Sequence, residues 1–271
     1  MVNNNIILSV SDLVLQKENK EIALNRIFDL GVGCIEITMD GEIWSKYKKA
    51  SLSVKKTIEK LKIPTTIHPP VWDVNLASEN SVIRKAAIKV HLKAFYLAST
   101  INSNYVVLHP GFIRSDSYEI KQALKRAKIT TEKLINIAGS LNLPIAVENV
   151  GYHGSSLFTM EEYVDFVSSF NNNNKVGYLI DTGHANLNNW DIVALLDIIG
   201  NKLFGMHIHN NNGKKDEHLP IGDGLIEWSK IWDKIKNINF DHKVYITLEY
   251  ASGVSIDRLK EDLKSISEII Y

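Results

Sequence analysis

Tyr105-Val-Val-Leu-His109-Pro-Gly111 decides how the rest of the chain is read. Four apolar residues run without a polar interruption, as expected of a parallel strand covered on both faces. A histidine then closes the run, and Pro110 restricts the backbone on leaving it. The same phrase, an apolar run closed by an imidazole or a carboxylate, returns along the chain. Candidate strands are Ile6–Val10, Gly33–Thr38, Pro64–His68, Tyr105–His109, Pro144–Glu148, Val176–Asp181, Leu203–His209 and Val244–Glu249. Helical patterns lie between them: Ile22/Ile27/Leu30, Val82/Ala86/Val90/Phe95, Asp116–Leu141, Met160–Phe170, Ile192–Ile199, Ile226–Ile235 and Ile256–Ile269. Repeated strand-then-helix units predict an α/β fold, a single (β/α)8 TIM barrel spanning 1–271, with its site at the C-terminal ends of the strands. An open doubly wound sheet is the competitor. It lacks a Gly-rich turn after the first strand, where Ser9–Leu15 stands instead.

Composition narrows the function classes. The 271 residues are 45% hydrophobic, enough for a large core, with no linker of low complexity. Asn171–Asn174 reads as a solvated turn between a helix and a strand. Lys plus Arg is 31 and Asp plus Glu is 31, so no net charge draws the chain to nucleic acid or membrane. Only 5 of the basic residues are arginine, which weighs further against a DNA-backbone partner. Cys34 is the single cysteine and fits a reducing compartment as a buried strand residue. The polar start Met1-Val-Asn-Asn-Asn5 is no signal peptide, and no stretch matches a membrane span, so a soluble cytoplasmic protein is expected.

In a barrel of this kind, strand ends converge on one mouth. Glu148, Asp181, His207 and Glu249 close strands five to eight and are the first candidates to wrap one ion. A glutamate after Pro-Ile-Ala-Val is costly to bury unless a cation or hydrogen bonds compensate it; four separate rim salt bridges are the bland alternative. His184 follows Asp181 across a glycine, where a turn can aim both side chains at one volume. Asp216 and His218 alternate, so they share a side while Glu217 points away. His68 and His109 both precede proline. These five residues are candidates for additional metal sites, or for hydrogen bonds to substrate hydroxyls. His209 shares a face with His207 and either reaches the mouth or supports a ligand. Glu36, a polar interruption in strand two, either orders a histidine, contacts a sugar hydroxyl or forms an ion pair. Trp72 is a candidate pocket wall, and Arg114, Lys214 and Lys215 are the basic residues near the presumed loops. His91 reads as a surface or packing residue on a helix. His153 falls in a mouth loop without a paired partner, and His242 has no comparable placement.

These residues resemble the xylose-isomerase-like barrel superfamily, which groups sugar isomerases and epimerases with the zinc-dependent apurinic endonucleases. The resemblance covers nearly the whole chain. It is carried by His109-Pro-Gly, Glu148-Asn149, Asp181-Thr-Gly-His184, Gly205-Met-His207, Asp216-Glu-His218, Gly222-Asp-Gly224 and Glu249. Its sugar-enzyme branch implies a single divalent ion held by Glu148, Asp181, His207 and Glu249. Glu148 and Glu249 would then exchange a substrate proton through an enediolate, with His184 and His209 on substrate oxygens. Its endonuclease branch implies three zinc ions on His68, His109, Glu148, Asp181, His184, His207, Asp216, His218 and Glu249. Strand two, Ile35-Glu-Ile-Thr-Met39, and the run Gly222–Trp228 resemble the sugar enzymes, and no basic DNA-penetrating loop follows strand two.

The expectation is therefore a metal-dependent isomerase or epimerase of a small sugar or sugar phosphate, using Zn, Mn, Fe or Co. A multinuclear zinc phosphoesterase is the alternative. Another reaction on a polyol or keto acid, such as dehydration, comes next, and metal binding without catalysis last. Exposed barrel helices can face solvent or a second copy, so a homodimer stays open.

Overall fold

The apolar runs require cover on both faces, and the computed structural model supplies it with strands closed in chain order into a barrel. They are β1 (Ile6–Ser11), β2 (Cys34–Thr38), β3 (Thr65–His68), β4 (Val106–Leu108), β5 (Ile145–Glu148), β6 (Val176–Asp181), β7 (Leu203–Ile208) and β8 (Val244–Leu248). The last strand pairs in parallel with the first, from Ile6↔Val244 to Val10↔Leu248, so the open doubly wound sheet is excluded. The helices are α1 (Lys20–Phe28), α2 (Tyr47–Leu61), α3 (Ser81–Thr100), α4 (Ile120–Ser140), α5 (Met160–Ser168), α6 (Thr182–Leu187), α7 (Ile192–Ile199), α8 (Trp228–Asn237) and α9 (Ile256–Ile270). The structure describes residues 5–113, 115, 117, 119–170 and 175–271. Arg114, Asp116 and the Asn171–Asn174 run lie outside the described residues. No helix among them is long and apolar enough to cross a membrane.

The chain divides into two compact units, one ending at Glu36 and resuming over Tyr178–Tyr271, the other Ile37–Gly177. In the first, register places Ser9 beside Cys34 and Thr247, Ser11 beside Glu36, and His207 beside both Thr247 and Asp181. Strand neighbours share a face, so one face carries Ser9, Ser11, Glu36, Asp181, His207 and Thr247. All six are fully buried, yet all are polar. The opposite face is apolar, with Val10, Ile35, Ile180, Met206, Ile246 and Leu248 equally buried. Polar groups are tolerated in such a place only when they satisfy one another or a ligand.

In the second unit, Ile67 pairs with Val106, and Leu108 with Val147. His109 and Glu148, one step beyond that last pair, therefore fall side by side. His68 ends β3 on the same alternation.

Two helices differ from the sequence reading. Helix α2 buries Ala50, Val54, Thr57 and Ile58, a narrow helical stripe diluted by lysines, where the sequence predicted none. Helix α6 occupies the segment after Asp181 that reads as a turn. Helix α8 begins at Trp228 because Glu227, at its N-cap, is extended (φ −88°, ψ 105°).

Candidate metal centre

In the unit Ile37–Gly177, Glu148 Oε2 lies 2.9 Å from His109 Nε2 and 3.7 Å from His68 Nε2. The two imidazoles meet edge to face, with centroids 5.0 Å apart. His68 Nδ1 donates to the Pro69 carbonyl at 2.9 Å, so in the neutral ring Nε2 is a lone pair, and it is turned toward Glu148. A lone pair and a carboxylate oxygen repel unless a proton or a cation lies between them. One ligand atom from each of the three residues falls within 4.8 Å of the others.

Asp40, just past β2, braces this group. Its carboxylate accepts from the Val71 and Trp72 backbone amides at 3.1–3.2 Å and so shapes the Pro-Pro turn after His68. Burial pushes the Asp40 carboxyl up, against the charges of His68 and His109 and the two amides. Trp72 itself is 55% exposed, held through its backbone. His153 is an exposed loop residue with φ 49°, edge to face with Tyr152.

In the other unit the donors are more numerous. Asp181 caps α6: Oδ1 accepts from the His184 amide at 2.6 Å, and Oδ2 accepts from His209 Nε2 at 2.9 Å. His207 Nδ1 lies 3.3 Å from Glu249 Oε2 and 4.0 Å from Asp181 Oδ2. Asp216 Oδ2 is 3.2 Å from both His184 Nε2 and His218 Nε2. Asp216 and His218 thus share a side as the sequence predicts, while Glu217 turns away to accept from the Asn212 amide. The charges of His184 and His218 hold the Asp216 carboxyl well below the usual range, although burial works the other way. Burial lowers His218, but the hydrogen bond and charge of Asp216, with Glu249 and Asp181, outweigh it and leave the imidazole at about 9.

Donors in this arrangement fit a divalent cation. Asp216 Oδ1 and His209 Nδ1 are buried and have no hydrogen-bond partner among the described residues. Ligand atoms of His209, Asp216 and His218 gather within 4.8 Å, as do those of Asp181, His209 and Glu249. Mixed nitrogen and oxygen donors suit Zn²⁺, Mn²⁺, Fe²⁺ or Co²⁺.

Several supports were not visible in sequence. His209 is fully buried, its ring stacked on His218 with centroids 3.9 Å apart. Its Nε2 lies 2.9 Å from Asp181 Oδ2 and 4.0 Å from Asp216 Oδ1. Gly183 lies flat against it, and a Cβ there would come 2.0 Å from His209 Cε1. Asn211 donates to the Gly183 carbonyl at 3.0 Å and accepts from Asn186 and the Gly213 amide. Asn210 donates to the Ile221 carbonyl and accepts from the Asn211 and Ile226 amides. The buried Asn210-Asn211 pair therefore turns the loop before α8 into a platform. His218 holds a left-handed φ of 49°, fixed by Nδ1 donating to the Glu249 carbonyl and by its own carbonyl accepting from Ala251. Helix α9 secures the far side. Asp262 accepts from Tyr250 Oη at 2.8 Å and from Arg258, and Arg258 also donates to Asp223 at 3.0 Å.

Lys214 and Lys215 are exposed on the loop. His91 is buried in α3, where its Nδ1 donates to the Ala87 carbonyl at 2.9 Å. It packs, and does not serve the surface. Burial brings its imidazole down to about 4.

The family model described as "Xylose isomerase-like TIM barrel" matches residues 24–269. The chain belongs to that family. It is 29% identical over 265 residues to the uncharacterized protein MJ1311 of Methanocaldococcus jannaschii, covering 96% of this chain and 89% of that one. A "Probable endonuclease 4" of Metamycoplasma arthritidis is 26% identical, covering 74% of each chain. Among solved structures, a "D-tagatose 3-epimerase-like protein" superposes with a TM-score of 0.83 at 27% identity, covering 97% of this chain and 98% of that one.

Proposed function

We propose that the protein is a divalent-metal-dependent isomerase or epimerase of a sugar or sugar phosphate, and that residues 1–271 work as one catalytic domain. The observation that carries this reading is the seat of His207. Its Nδ1 lies 3.3 Å from Glu249 Oε2 and 4.0 Å from Asp181 Oδ2 at the end of an otherwise apolar strand. Glu148, which ends β5, is the fourth proposed ligand. Likeness to the D-tagatose 3-epimerase-like structure over nearly the full chain supports the same class.

In this reading Glu249 and Glu148 exchange the proton on a substrate carbon, one as base and the other as acid, through an enediolate. The bound ion would supply positive charge for the developing oxyanion. Asp181 is held by the His184 amide and His209, so its carboxylate keeps one orientation as charge moves nearby. His184, 11% exposed at its side chain, is placed to meet substrate oxygens or a further ion.

A second reading, a multinuclear zinc phosphoesterase, is favoured by the His68–His109–Glu148 and His184–Asp216–His218 groups, which a single-ion isomerase does not need. The likeness to the probable endonuclease agrees with it. Metal analysis of protein purified without chelator, with hydrogen-exchange assays on a panel of ketoses and ketose phosphates, separates the two. One ion and solvent exchange at a substrate carbon are expected. Three ions, no exchange and cleavage of an abasic-site duplex would replace the first reading by the second.

A further inference from the structure

We infer that Glu36 is a positioning residue that decides which nitrogen of His207 faces the ion. This rests on the ligand set proposed above, not on the reaction assigned to it. Glu36 stands in β2, where every residue is buried, and its side chain is fully enclosed. Both carboxylate oxygens lie 3.1 Å from His207 Nε2. A nitrogen equidistant from two carboxylate oxygens is placed as one N–H shared between two acceptors, which assigns the ring proton to Nε2. The remaining lone pair of the neutral ring is at Nδ1, the atom that faces Glu249 and Asp181.

How Glu36 reaches that far follows from the sheet. Strands β1 and β8 lie between β2 and β7, and their residues on the shared face at this level are Ser9, Ser11 and Thr247. These are small side chains, and they leave room for a glutamate to cross to an imidazole. The carboxylate meets the ring at the nitrogen opposite the one that faces Glu249 and Asp181. Its role is to fix the ring's rotation and its bare nitrogen, and to make that nitrogen a stronger donor.

The test follows the His207 ring by ¹⁵N-histidine NMR during zinc titration, in the wild type, Glu36→Gln and Glu36→Ala, with thermal unfolding of the zinc-free proteins as the check on fold. In zinc-loaded wild type the ring is expected to keep a proton on Nε2 and bind through Nδ1. Glu36→Ala is expected to weaken zinc binding at His207 by about 10–100-fold. Glu36→Gln, whose amide oxygen can still accept from Nε2, should lose less. Zinc bound through Nε2 overturns the inference, as does a folded Glu36→Ala with zinc affinity within roughly twofold of wild type. Should Glu36→Ala fail to fold, the wild-type ring signature decides alone. Absence of hydrogen exchange with every sugar tried would sink the isomerase reading and leave this result standing.

Discussion

His68, His109 and Glu148 are carried by consecutive strand ends, while Asp216 and His218 ride on the long segment between β7 and α8. Sheet register alone places the first group, with one carboxylate, Asp40, bracing the turn beyond it. The second needs a buried asparagine pair, a glycine against an imidazole, a left-handed histidine and clasps from α9. Donors on strands inherit their geometry from backbone pairing. Donors on a loop must have it built by side chains, each of which is a separate point of failure.

The largest expected effect tests Glu249, which stands between the two styles, one residue past β8 and bonded through its carbonyl to the loop histidine. Glu249→Gln keeps the shape and removes the charge, so turnover should fall about 10²–10⁴-fold with little change in unfolding midpoint. Undiminished turnover would remove Glu249 from the chemistry.

Acid should reach the strand-borne group through its bedding. His91 lies in α3 of the same unit, and its folded pKa of about 4 is below the ordinary 6.5. Between those values the unfolded chain binds the extra proton, so stability is complete above pH 6.5 and is lost as pH falls toward 4. The loss is at most about 3 kcal/mol. Denaturant midpoints across that window should show it, and His91→Leu should flatten the His91 share. An unchanged slope in that variant would contradict the assignment.

The loop-borne group should yield to small steric changes instead. Gly183→Ala drives a methyl into the His209 ring and should cost about 1–3 kcal/mol, read from the denaturant midpoint. An unshifted midpoint would show that the ring has room to retreat. Asn211→Ala should cost about 1–2 kcal/mol through its three lost hydrogen bonds. Should the multinuclear reading hold, this variant would also loosen zinc at Asp216 and His218 while leaving zinc at His68 and His109 unchanged. Equal loosening at both groups would erase the contrast between them.

That contrast also explains what the sequence revealed. Strand ends were legible because an apolar run closed by His or an acid is a local pattern, and the closed parallel order follows from its repetition. The lysine-rich α2 was not legible, since its buried stripe has only Val54 and Ile58 as large apolar residues, with Ala50 and Thr57 between lysines. Nor was α6, because Thr182-Gly-His184 has turn composition and becomes helical through a cap that depends on the Asp181 side chain. Asp40 and Asn211 act through backbone amides and carbonyls distant in sequence, for which no spacing rule exists. Gly183 could be read as a relief of bulk, but not which ring demands it.

Helix α9 gives the loop its last support. Arg258 and Asp262 there splint Asp223, within the histidine-bearing segment, and Tyr250, whose hydroxyl accepts from the Ile221 amide of that segment. Loss of the Arg258 and Asp262 side chains would thus slacken that segment while Leu259, Leu263 and Ile266 still anchor the helix.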